Sequence, residues 1–154
     1  MLMDRSNVDV REKTLMIVED EVLVAIALRD ELEDAGYHVL DLTDRHAEAV
    51  AAARQCTPVL ALVNIQLGGR DDGIELAEHL KVMNIPVLLI SGQVSRARSA
   101  KTVAIGSMPK PYSATAMVRA VTYLLARLDG DDSLSVPDGL EVFMTDSNDF
   151  ATAK

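Results

Sequence analysis

A single cysteine, Cys56, is the only thiol in this 154-residue chain, so no internal disulfide can form. Basic residues are outnumbered: 15 Lys and Arg against 24 Asp and Glu leave a formal charge of −9. A nucleic-acid surface needs clustered cations to neutralise phosphates, and no cationic patch stands out, which argues against that class. Long apolar runs are missing too. No stretch approaches the roughly 18 residues of a membrane span. The amino-terminal MLMDRSNVDVREK also lacks the apolar segment of a secretory signal. The expectation is a cytoplasmic protein that engages neither membrane nor nucleic acid.

With 49% hydrophobic and 25% charged residues, the chain is one domain's worth of material and can bury a core. Short runs rich in Val, Ile and Leu, at residues 14–18, 37–42, 59–63 and 87–90, have strand length and end in polar or glycine punctuation. A weaker strand is expected at 105–108. Helical patterns lie between them. Residues 21–35 put Val24, Leu28, Leu32 and Ala35 on one face and stop at Gly36. Further helices are expected at 44–56, 73–83, 95–103 and 113–128, the last with a Met117, Val121, Leu124 and Leu128 stripe. Five strand–helix repeats predict an α/β fold, a (βα)5 doubly wound domain with a parallel sheet covered on both faces.

In open sheets of this kind ligands bind beyond the carboxyl ends of the strands. There the chain places Glu19, Asp20 and Glu21, then Asn64, Ser91 and Lys110. Magnesium usually takes one or two carboxylates plus other oxygens, and Glu19 with Asp20 can supply them. A hydroxyl at Ser91 and an ammonium at Lys110 suit phosphoryl oxygens. A carboxylate nucleophile would complete the set.

The acidic pair in IVEDE, the strand LALVNIQL, Ser91 in LLISG and the run PKPY resemble, in that order, a response-regulator receiver domain of two-component signalling. The resemblance covers residues 13–128 and implies a flavodoxin-like five-stranded sheet of order 2-1-3-4-5. It implies that Glu19 and Asp20 bind Mg2+ with the backbone carbonyl of Gln66. Ser91 and Lys110 would be phosphoryl partners, and Tyr112 a switch aromatic that turns inward behind Ser91. Lys110-Pro111 would be a cis peptide. It also implies a sensor histidine kinase or phosphotransfer protein as partner, leaves a homodimer open, and makes the domain a signalling module and not an enzyme. The wording of LGGRDDGIELA, SGQ and KPY is similar to alphaproteobacterial members paired with HWE-class kinases.

Asn64 stands where the family has its phosphorylated aspartate. An amide matches a carboxylate in shape but is neutral and a poor nucleophile, so no aspartyl-phosphate is expected. Asn64 reads either as the mark of a natural pseudo-receiver or as a substitution that holds the protein unphosphorylated. With Asn64 beside the two acids, magnesium binding is expected to be weak.

The flanks are expected to be an extension at 1–12 and an acidic tail at 129–154 without an output domain. The tail is expected to be flexible, except that LEVF at 140–143 could pack as a short arm. Val22, Leu23 and Ile26 add apolar surface beyond the buried stripe of the first helix and are expected to dock a kinase. Asp71 and Asp72 read as solvated loop acids, and His38, His46 and His79 as surface residues. Two rival classes share the fold. A flavodoxin-like flavin binder needs phosphate-cradling amides where the chain has Glu19, Asp20 and Glu21. A haloacid dehalogenase-type phosphatase needs two aspartates one residue apart, which the first strand does not provide.

Overall fold

The computed structural model describes residues 13–67 and 72–144. β1 (Thr14–Val18), β3 (Leu60–Asn64) and β4 (Val87–Ser91) are each buried along their whole length. That is why they read as near-continuous apolar runs: a parallel strand covered by helices on both faces has no solvent side to alternate with. β2 (His38–Val39) and β5 (Gly106–Pro109) flank them. The helices are α1 (Val22–Asp34), α2 (His46–Gln55), α3 (Gly73–Val82), α4 (Val94–Ser99) and α5 (Ala114–Leu128). Leu15 and Ile17 pack with α1 and α5, whereas Met16 and Val18 pack with α2, α3 and α4, so alternate residues of β1 serve the two layers.

Among the described residues the sheet has six strands in the order β2-β1-β3-β4-β5-β6. The first five pair in parallel, as expected. The sixth, β6 (Glu141–Val142), pairs antiparallel with β5; it adds a strand to the five expected and lies within LEVF, the one stretch of the tail read as able to pack, while residues 145–154 lie outside the described residues. Leu140 and Met144 are buried in the α1/α5 layer, and Phe143 packs on the opposite one. Alternation across LEVFM, together with edge pairing, outweighs the acidity of the surrounding tail.

Smaller corrections have local causes. β2 is an edge strand with one neighbour and leaves the ladder after Val39, returning only in an isolated bridge between Val18 and Thr43. Ala35 is exposed because α1 has already ended and Ala35 is its cap. α4 is shorter than expected: the amides of Ala100 and Val103 bond three residues back, to Ala97 and Ala100, which tightens the chain out of the α-helix. Asp72 caps α3 by accepting from the Ile74 amide at 2.8 Å and pairs with Arg96 at 2.8 Å, so it is a structural acid and not a solvated one. Asp71 lies outside the described residues. His38 is exposed, but His46 and His79 are half-buried and meet, Nε2 to Nδ1, at 3.4 Å between α2 and α3.

Candidate functional site

Parallel register brings the strand ends to one level. Val18 pairs with Val63, Asn64 with Ile90, and Ser91 with Pro109, so the residues that follow each pair emerge side by side. Glu19, Asp20, Asn64, Ser91 and Lys110 therefore gather at the carboxyl edge, as the sequence implied. Asn64, Gln66, Ser91, Gly92, Gln93 and Lys110 line a cavity of about 260 Å³ there. Gly73 sets the depth of the Asn64 strand end: a Cβ at that position would lie 2.1 Å from the Asn64 carbonyl oxygen. Only a residue without a side chain lets α3 start so close to β3.

Asn64 is buried, and its amide is fully engaged. Nδ2 donates to Glu19 Oε2 at 3.0 Å and to Asp20 Oδ1 at 3.3 Å, while Oδ1 accepts from the Gln66 amide at 3.2 Å. Glu19 Oε2 also accepts from the Glu21 amide at 3.0 Å, which ties the acid to the start of α1. Burial pushes the Glu19 carboxyl above its usual range; the Glu21 amide, Asn64 and Lys110 oppose that shift, and Asp20 adds to it. Lys110 lies 4.0 Å from Glu19 Oε1 and 3.9 Å from Glu21 Oε1. The Lys110-Pro111 peptide is cis, in agreement with the resemblance.

Ser91 is turned toward its own loop. Its hydroxyl donates to the Gln93 carbonyl at 3.0 Å and accepts from the Gln93 amide at 2.8 Å. Sequence reasoning missed Gln93; its place two residues after a strand-end serine is the signal for such a turn.

Tyr112 departs from its expected place. Its neighbours are Glu21, Val24, Leu28 and Pro111, in an apolar groove of about 510 Å³ beside α1. The space behind Ser91 is instead lined by Ser107, Met108 and Pro109 of β5 and by Val94 and Ala97 of α4. Tyr112 follows β5, past the strand's last pair with Ser91, so it projects on the α1 side. The Tyr112 hydroxyl is buried with no hydrogen-bond partner among the described residues, and burial, helped by Glu19 and Glu21, pushes its pKa up to about 12.

The docking residues divide. Leu23 is 82% exposed and Val22 64%, whereas Ile26 is half-buried. The first two are free surface, and Ile26 is partly a packing residue.

A divalent cation suits part of this constellation. Glu19 Oε1 is buried without a hydrogen-bond partner among the described residues, as a metal ligand would be, and Asp20 adjoins it. The Asn64 amide, however, already bridges these two acids.

Sequence and structure comparisons agree with this geometry. A sequence model described as the response regulator receiver domain matches residues 15–122. The chain belongs to that family: it carries a receiver domain of a response regulator in two-component signalling, a signalling fold and not a catalytic enzyme family. That assignment sets aside the flavin-binder and phosphatase readings. The chain is 30% identical over 129 residues to the phosphate regulon transcriptional regulatory protein PhoB of Pseudomonas aeruginosa, covering 79% of this chain and 55% of that protein. It is 32% identical over 84 residues to the phyllosphere-induced regulator PhyR of Methylorubrum extorquens, covering 53% and 32%. Thus it spans about half the length of PhoB, or less of such relatives. Among solved structures it is similar to the signal receiver domain of a modulated diguanylate cyclase from Desulfovibrio desulfuricans, with 37% identity, a TM-score of 0.65 and coverage of 73% and 92%. The receiver domain of NtrX from Brucella abortus gives 28%, 0.66, and 72% and 96%. Receiver domains as a family bind Mg2+ at the acidic edge and work with histidine kinases or phosphotransfer proteins. Among the described residues no helix is long and apolar enough to cross a membrane.

Proposed function

We propose that this chain is a cytoplasmic, non-phosphorylatable receiver that docks a histidine kinase without accepting its phosphoryl group. The observation that carries this reading is the Asn64 amide, which donates from one nitrogen to both Glu19 and Asp20. A carboxylate at position 64 could not make those bonds. It would instead crowd two acids and draw in a cation. The amide performs the neutralising task internally and offers no anionic oxygen for attack on phosphorus. Glu19, Asp20 and the Gln66 carbonyl would hold Mg2+, which supplies positive charge to an approaching oxyanion. Binding must first displace the two Asn64 donors, so it is weak. Lys110 balances the acids, and Ser91 stays in its turn with Gln93.

Kinase recognition needs none of that chemistry. Leu23 and Val22 stand exposed at the start of α1, next to the apolar groove bounded by Val24, Leu28, Pro111 and Tyr112. Burying each exposed side chain in a helical partner contributes up to about 1.5–3 kcal/mol. Calorimetric titration of the kinase dimerisation domain should show binding by this chain and at least tenfold weaker binding by Leu23→Glu, with an unchanged melting temperature. Ile26→Glu should lose both affinity and stability. Undiminished binding by Leu23→Glu, with affinity lost on deleting the chain after Asp129, would move the interface to the tail and overturn the α1 assignment.

A further inference from the structure

On the side of the sheet opposite α1 and α5, two histidines meet that no part of the candidate site uses. His46 is the first residue of α2, and His79 stands in the last turn of α3. Nε2 of His46 faces Nδ1 of His79 at 3.4 Å, and both side chains are half-buried. The rings meet edge to face, with 5.6 Å between centres and 66° between planes, so ring nitrogens and not ring faces oppose one another. Packing fixes both backbones. Ala49 and Val50, one turn on from His46, share a buried apolar layer with Leu76, one turn before His79, and with Leu80 beside it. Each imidazole is therefore carried on a helix that the core already holds in place.

The spacing is long for a hydrogen bond and right for a shared ion. A good N–H bond spans roughly 2.7–3.2 Å. Two imidazole nitrogens on one tetrahedral Zn2+, each at about 2.0–2.1 Å from the metal, stand about 3.3–3.4 Å apart. We propose that His46 Nε2 and His79 Nδ1 form a two-histidine site for a divalent late first-row transition metal, with Zn2+ the ion whose geometry fits best, and that the ion clasps α2 to α3. Neutral imidazole is a ligand such ions favour, whereas Mg2+ prefers oxygen, so this site and the acidic strand ends select different cations. Between neutral rings one nitrogen donates its proton to the other. To take the metal, the donor ring carries that proton on its second nitrogen and both rings turn slightly, which aims two lone pairs at the ion; no net proton leaves the pair. Among the described residues no third His, Cys, Asp or Glu joins the two, so water completes the tetrahedron. The ligands lie 33 residues apart in the chain, so only the folded state brings them together, and bound metal stabilises that state. The proposal depends neither on Asn64 nor on kinase docking.

Calorimetric titration of zinc chloride into the full chain, carrying no histidine tag and held in excess Mg2+ to occupy the acidic edge, tests it. One Zn2+ per chain should bind, with the affinity at least about tenfold lower in both His46→Gln and His79→Gln. Zinc should raise the melting temperature of the unaltered chain and leave those of the two variants in place. Long-range proton–nitrogen NMR spectra of the unaltered chain should show zinc shifting His46 Nε2 and His79 Nδ1 and sparing the exposed His38, a readout that stands even where a variant does not fold. Undiminished zinc affinity in either folded variant would overturn the proposal. So would zinc that shifts His38 in place of the pair or binds through the exposed Cys56, or a chain that takes up no zinc at all.

Discussion

Changing Asn64 to Asp tests the clamp in energetic terms. The substitution keeps the shape and replaces a shared donor by a third carboxylate, 3.0 Å from Glu19 Oε2 and 3.3 Å from Asp20 Oδ1. At an effective dielectric constant near 20, each such contact between unit charges is worth about 5 kcal/mol of repulsion. The molecule escapes most of it by keeping a proton. Holding an ordinary carboxyl protonated at pH 7 costs 1.36 kcal/mol per pH unit above its pKa, about 4 kcal/mol, which caps the penalty. A loss of roughly 2–4 kcal/mol is therefore expected in a chelator at pH 7, or about 5–15 °C in a domain of this size. Urea denaturation at pH 7 and pH 5, with and without Mg2+, reads it. The Asn64→Asp loss should shrink at pH 5, where the extra proton costs less, and disappear in Mg2+, while the Asn64 chain should barely respond to the metal. An Asn64→Asp variant as stable as the Asn64 chain in chelator at pH 7 would refute the clamp.

Three further outcomes follow from the same geometry. Tyr112→Phe removes a buried hydroxyl with no partner among the described residues, so stability should be unchanged or rise by about 1 kcal/mol, and the phenolate absorbance step at about pH 12 should vanish from an alkaline titration. Glu19 has a folded-state pKa above its unfolded value, so the folded chain binds its proton first, and this group's contribution becomes more favourable as pH falls through that raised pKa. Glu19→Gln should therefore be the more stable form at neutral pH, with the advantage shrinking on acidification in a melting-temperature series. Gly73→Ala forces a Cβ to 2.1 Å from the Asn64 carbonyl oxygen, and denaturant unfolding should show a loss of about 3 kcal/mol or more, against a helix-propensity gain near 1 kcal/mol.

How much of this was legible in the chain depended on how local its cause was. β1, β3 and β4 were plain because central parallel strands are apolar on both faces, and Glu19, Asp20, Asn64, Ser91 and Lys110 because parallel register converts strand ends into a shared site. What sequence hid was set by distant partners. His46 and His79 are 33 residues apart and meet only when α2 packs on α3. Asp72 reads as a loop acid until Arg96 folds back to it. Tyr112 was assigned a place behind Ser91 by resemblance, but only the path of the chain after β5 shows that it faces α1. The arm was weighed as LEVF, yet acidity argued for a free tail, and nothing local shows that Gly106 leaves room for it.

The most direct test of the central claim, that Asn64 has replaced the acceptor by an internal amide clamp, is intact-mass analysis after incubation with an acyl phosphate and Mg2+. The Asn64 chain should carry no phosphoryl adduct, and Asn64→Asp should carry one, lost on treatment with hydroxylamine. Equal labelling of the two chains would contradict the account and place the acceptor at another residue.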